Sequence, residues 1–206
     1  MSPDATTAKE KVPFALDKMV WHPTPLLNQV TLVTTLNEDG SSNVAPKSCV
    51  SMMIFRPPLL AMGCNLTHWT ARNIRRDGEF IINVPGAELA GRAWASSEAP
   101  HPRTVESLGF TAVPALQVRP PRIAECRAHI ECVFEREIVY GEEIILLGRL
   151  VAASLDRDVA EAADPYALMR PFAFLEERLY GVIERSVKLQ GGGSPPRGYP
   201  DEEVMP

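Results

Sequence analysis

Residues 123–154 read IAECRAHIECVFEREIVYGEEIILLGRLVAAS, and this stretch decides the fold class. Over Ile123–Val139 the side chains alternate. Ile130, Cys132 and Phe134 fall on one side of an extended chain, and His129, Glu131 and Glu135 fall on the other. That two-residue period belongs to a strand with one face on a core. Gly141 supplies a turn, and Glu143–Ser154 resumes the strand, with Ile144–Leu147 continuously apolar and so expected to be covered on both faces. Working outward, Gln29–Asn37 is β-rich and places Val30, Leu32, Thr34 and Leu36 on one face. Glu38-Asp39-Gly40 is a hairpin signal. Ser42–Ile54 continues as one extended segment with Pro46 at a bulge or edge. Leu59–Cys64 reads as a short buried strand, Phe80–Val84 as another, and Leu179–Val187 as the last. Between them Thr67–Arg76 changes to helical spacing and stops at Gly78. Glu88–Ser96 and Thr104–Leu108 read as short helices, and Asp158–Met169 as a weak one interrupted by Pro165. Six or seven strands, mostly hairpin-linked, with few short helices predict a mainly β protein whose antiparallel sheet closes into a barrel.

The 206 residues are 45% hydrophobic and 23% charged, with 19 prolines, a composition that suits one turn-rich globular domain rather than a helical bundle. Residues 1–20 are expected to be a flexible arm, 21–190 the domain, and 191–206 (GGGSPPRGYPDEEVMP) a disordered tail. The net charge of −5 argues against a nucleic-acid partner, and no apolar run is long enough to cross a membrane as a helix. Cysteines stand at 49, 64, 126 and 132 without a CxxC pair. On one strand Cys126 and Cys132 would lie about 20 Å apart, too far to bridge. Reduced thiols, and an N-terminus without a secretory h-region, suit a cytoplasmic protein. GxGxxG, Walker A, GxSxG and HExxH patterns are missing, and the histidines at 22, 68, 101 and 129 have no zinc spacing, so no metal is expected.

Two segments carry chemistry. Asn43–Met53 (NVAPKSCVSMM) gathers small hydroxyl and thiol residues in an extended chain that Pro46 keeps from regular pairing. Its free backbone groups suit a flat heteroaromatic ring; an edge strand with polar residues facing water is the other reading. Asn65–Ile74 (NLTHWTARNI) joins a strand end to a helix start, where unpaired N–H groups favour an anion such as phosphate. Thr67 and Thr70 add hydroxyls there, and Arg72, Arg75 and Arg76 add charge; an ordinary helix cap with solvated arginines is the alternative.

In order, the NVAP-x-S segment, the PP-L strand, the T-x-x-NI helix start and GEFIINVP (78–85) resemble the flavin reductase-like, FMN-binding split-barrel family. ASSEAPHP (95–102), ESLGFTAVP (106–114) and PPRIAEC (120–126) extend the likeness, which runs through about 29–151. The resemblance implies a split barrel that holds FMN, or less often FAD, and a homodimer with the flavin near the subunit interface. It implies an NAD(P)H-dependent flavin reductase serving a partner monooxygenase or other electron acceptor, or else a flavin-holding electron carrier that oxidises no nicotinamide. Carried onto this chain, Ser48, Cys49 and Ser51, with the neighbouring Lys47 and Val50, line the ring, and Asn65, Thr67, His68, Thr70 and Asn73 hold the ribityl phosphate, with Trp69 in the same cofactor site. His101 is the candidate catalytic residue, in contact with nicotinamide or polarising a substrate; an exposed loop histidine is the plainer reading. Trp69 at its position, Cys49 and Met53 near the ring, and Phe172–Tyr180 without a Gly-Gly pattern depart from the family.

Overall fold

In the computed structural model, residues 25–176 and 178–187 are described, together with Lys11 and Pro13. The expected tail, and the expected arm apart from those two residues, lie outside the described residues. In chain order the strands are β1 (Asn28–Gln29), β2 (Thr31–Leu36), β3 (Ser42–Lys47), β4 (Val50–Phe55), β5 (Pro58–Asn65), β6 (Glu79–Val84), β7 (Ala112–Val113), β8 (Arg122–Ile123), β9 (Ala128–Tyr140), β10 (Glu143–Leu155), β11 (Phe172–Glu176) and β12 (Leu179–Val182). The helices are α1 (Trp69–Asp77), α2 (Ala90–Glu98), α3 (Arg157–Glu161) and α4 (Pro165–Met169). This is the mainly β, antiparallel split barrel with a few short helices that the sequence predicts.

Seven strands form the main sheet in the order β3-β2-β6-β9-β10-β5-β4. All its pairings are antiparallel. The order makes the barrel. β3 and β4 are neighbours in sequence, joined only by Ser48 and Cys49, yet they occupy opposite edges. Laid flat, the edges would stand about 29 Å apart at the usual strand spacing. The link from Lys47 to Val50 spans at most about 11 Å. The sheet must therefore curl until its edges approach, and because the edges do not pair, the barrel stays split.

Two cores result. One fills the barrel, where Val33, Leu60, Met62, Ile74, Phe80, Ile82, Cys132, Ile144 and Leu146 pack together. The other lies between the sheet and α2, around Leu32, Val44, Leu89, Val105, Phe110, Ile123 and Phe172. β2 divides these cores, so Thr31–Thr35 are all buried and both faces are covered rather than the single face expected. In β10 the correction is opposite. Ile144 and Leu146 are buried, but Ile145 is 43% exposed, because among the described residues no layer covers the outer face there.

Other boundaries moved for local reasons. The extended segment Ser42–Ile54 breaks at Ser48–Cys49, where the Cys49 carbonyl accepts the Gly63 N–H at 2.8 Å. The long run beginning at Ile123 is two pieces. The Ile123 N–H donates to Asn83 Oδ1 at 2.9 Å, and the Arg127 N–H donates to the Val84 carbonyl at 2.9 Å before β9 starts. Thr104–Leu108 yields only a single helical turn at Glu106–Leu108. β11, which pairs with β1 and β12, was not foreseen. α1 ends as expected, with Gly78 at φ 73° and its N–H on the Ile74 carbonyl at 2.8 Å.

Gly148 lies in β10 beside the fully buried Phe80 ring, whose Cζ occupies the space a Cβ at 148 would need. Gly148→Ala must displace that ring from a filled core. A loss of about 1–3 kcal/mol is expected in urea unfolding; unchanged stability would show that Phe80 is free to shift.

Candidate functional site

The β3 strand, the turn into α1 and the loop after α2 enclose a cavity of about 350 Å³. Its walls are Asn43–Lys47 from β3, Thr67–Thr70 from the turn and helix start, and Ser97, His101 and Arg103. A second cavity of about 150 Å³ shares Pro46, Lys47 and Ser97 with it and adds Ser48, Trp94, Phe174 and Tyr180. The pair thus forms one site with a polar half and an aromatic half.

The polar half is built for negative charge. Among the described residues no acidic side chain lines it, whereas Lys47 and Arg103 both do. Asn65 organises the turn, its Oδ1 accepting the Thr67 N–H at 2.9 Å and the Thr67 hydroxyl at 2.6 Å. α1 then begins without a side-chain cap at His68 and with no acid in its first turn. Of its first N–H groups that of Ala71 is turned to Cys64, while those of Trp69 and Thr70 and the positive end of the dipole are left for another partner. Thr70 is 1% exposed and its hydroxyl has no hydrogen-bond partner. Such a group calls for an acceptor.

Lys47 Nζ lies 3.0 Å from His68 Nδ1, and Cys64 Sγ lies 3.5 Å from the same nitrogen. An ammonium only donates, so Nδ1 must carry the lone pair and the proton sits on Nε2. Burial, with Lys47 and Arg103 adding to it against Glu143, pulls His68 below the ordinary histidine range. Burial also raises the Cys64 thiol, against the pull of Lys47. Both groups are neutral at pH 7. On the rim, the Trp69 and His101 rings stack with centroids 3.9 Å apart and planes 5° apart. The Arg72 guanidinium lies 5.1 Å from the Trp69 ring centre.

Of the residues singled out from the sequence, Lys47, Thr67, His68, Trp69, Thr70 and His101 meet around the larger cavity and Ser48 borders the smaller. Cys49, Val50, Ser51, Asn65 and Asn73 line neither. Cys49 is exposed on the link between the edges. Asn73 is buried and its amide donates to Thr35 Oγ1 at 3.0 Å and Asn37 Oδ1 at 3.3 Å, so it fastens α1 to β2. Arg75 pairs with Glu137, and Arg76 with Asp77, which removes both from the anion site. Ser97 and Arg103 were missed. Ser97 lies in the last turn of α2, within the quoted ASSEAPHP, and Arg103 directly follows that stretch, but only the packing of α2 and the loop after it on β3 brings them to the cavity.

The model of the flavin reductase like domain matches residues 26–181. The chain belongs to the flavin reductase-like family. It is 31% identical over 175 residues to the uncharacterized protein YwrF of Bacillus subtilis (strain 168), covering 78% of this chain and 85% of that one. Its fold is similar to nitrilotriacetate monooxygenase component B from Bacillus cereus, with a TM-score of 0.77 at 19% identity over 88% of this chain and 100% of that one. It is similar also to flavoredoxin of Desulfovibrio vulgaris (Miyazaki F), with a TM-score of 0.75 at 18% identity, over 88% and 97%.

Lys47 is one cause of the depressed His68 titration, after burial. Lys47→Met should move the His68 midpoint upward, toward the ordinary value of about 6.5, in an NMR titration. An unmoved midpoint would remove Lys47 from the account.

Proposed function

We propose that this protein is an FMN-binding oxidoreductase, an NAD(P)H-dependent flavin reductase that passes hydride from nicotinamide to flavin. The observation that carries the reading is the acid-free cavity at the uncapped start of α1, where Lys47, Arg103, Thr67 and the unpartnered Thr70 hydroxyl gather. These donors fit a phosphate monoester. Thr67, Thr70, Lys47 and Arg103 would hold it, with His68 offering a neutral Nε2–H. Ser48–Ser51 run on from β3, and their backbone and small side chains would border the ring. Bound FMN would supply the hydride chemistry through its isoalloxazine. The protein's share is to orient the ring and keep water from it, with His101 retained as the candidate contact to nicotinamide. Asn65 and Asn73 serve by shaping the turn and fixing the helix.

A homodimer fits the bare side of the barrel. Ile138 and Ile145 face each other across β9 and β10 and are 54% and 43% exposed. Tyr140, Met53 and Phe55 are exposed large side chains on the same strands or on β4. A second copy of the chain would cover such a face. The reduced flavin would serve a partner monooxygenase or another electron acceptor, and the chain is read as cytoplasmic. Among the described residues no helix is long and apolar enough to cross a membrane. A second reading is a flavin-holding electron carrier without nicotinamide oxidation. It rests on the observation that, among the described residues, no acid that could hold a nicotinamide ribose lines either cavity.

The purified protein with added FMN should retain a flavin spectrum through gel filtration and consume NADH or NADPH. Flavin uptake without turnover by either donor would select the carrier reading; no uptake would overturn both. Thr70→Val should weaken FMN binding by about tenfold, the cost of one hydrogen bond to a charged group, and leave riboflavin binding nearly unchanged. Equal losses for both would refute the phosphate assignment.

A further inference from the structure

FMN and FAD share the ring and the first phosphate, and FAD carries an adenosine monophosphate beyond it. We infer that His101, by stacking on Trp69, is a specificity residue that favours FMN over FAD. The inference rests on the flavin reading above and adds to it the feature that separates the two cofactors.

With the phosphate held by Thr67, Thr70, Lys47 and Arg103, the extra adenosine of FAD must leave the cavity from its polar half. The aromatic surface bordering that half is Trp69, the first residue of α1 and 42% exposed. An adenine gains affinity by stacking on an open aromatic face. On Trp69 such a face is already taken. The His101 ring lies on it at a centroid distance of 3.9 Å and 5° from parallel, which is van der Waals contact. A third ring between them would require planes about 7–8 Å apart.

The loop that carries His101 is tied down on both sides. Arg103 Nε donates to the Ala99 carbonyl at 2.6 Å across the loop. The Val44 N–H donates to the Arg103 carbonyl at 2.8 Å, and the Val105 N–H to Ser42 Oγ at 2.9 Å, so the loop is pinned to β3. The imidazole is thus a built-in occupant of the place an adenine would use. FMN, which ends at the phosphate, has no second ring that needs that place. His101 itself is exposed, so replacing it leaves both cores intact.

The test compares FMN and FAD dissociation constants by calorimetry in the full-length chain and three variants. The wild-type protein should prefer FMN. His101→Ala uncovers Trp69 and should improve FAD binding relative to FMN by about tenfold, the scale of one base stacked on one aromatic ring. His101→Phe, which keeps a ring on Trp69, should retain the wild-type preference. His101→Ala combined with Trp69→Leu should lose the gain, because the platform is gone. A wild-type preference for FAD, or a His101→Ala ratio equal to wild type, would overturn the inference while leaving the flavin site standing. Failure of every form to bind either flavin would overturn the flavin reading along with it.

Discussion

The two-residue link between Lys47 and Val50 is the constraint on which the rest of the molecule depends. It ties together the two strands that the sheet order sends to opposite edges, so curvature follows from connectivity rather than from any particular side chain. The seam where the edges approach without pairing is also where the site lies. β3 lines the larger cavity on its approach to the link, and Ser48 borders the smaller one. A fully paired barrel would have consumed the backbone groups of this stretch in ladder hydrogen bonds. The split leaves them near the surface, beside an uncapped helix start, without exposing an apolar core.

Much of this was legible in the sequence because it is local. The alternation of Ile130, Cys132 and Phe134, the Asp-Gly turn and the Gly78 stop each express a backbone preference over a few residues. The errors arose where a distant element decided the outcome. Thr31–Thr35 are buried on both faces because the expected face, with Leu32, meets the layer around α2, while Val33 on the other face points into the barrel core built by strands from later in the chain. Ile145 is exposed although its neighbours are buried, because only the inner side of β10 meets a core. Ser42–Ile54 looks continuous in composition, and nothing in its residues announces that its halves belong at opposite edges.

The site followed the same division. Thr67, His68, Trp69 and Thr70 are consecutive, so one turn presents them all, and a reading of the turn finds them. Lys47 joins them by curvature, and Ser97 and Arg103 by the docking of α2 and the loop after it, neither of which has a sequence period. Asn73 shows the opposite case. The family likeness assigned it to the phosphate with Thr70, but Thr35 and Asn37 take its amide instead. Charge sorts the arginines likewise: Arg75 and Arg76 meet carboxylates, whereas Arg103 spends one donor on a carbonyl and still borders the cavity.

Glu131 is 1% exposed, and its two carboxylate oxygens accept the N–H groups of Leu116 and Gln117, each at 2.7 Å. A single buried side chain thereby does for an irregular stretch what a neighbouring strand does for a regular one. Both oxygens are committed to consecutive amides, so the spacing along that stretch is locked to the barrel wall as firmly as a ladder would lock it. At the tip of the β2–β3 turn the Asp39 carboxylate accepts only from Ser41 two residues on, and the tip's link outward is the exposed Glu38 carboxylate, 4.0 Å from Arg76. Over evolutionary time the two surface segments should therefore differ in how they change: the Asp39 turn can gain or lose residues, while the segment on Glu131 can exchange side chains but keeps its length.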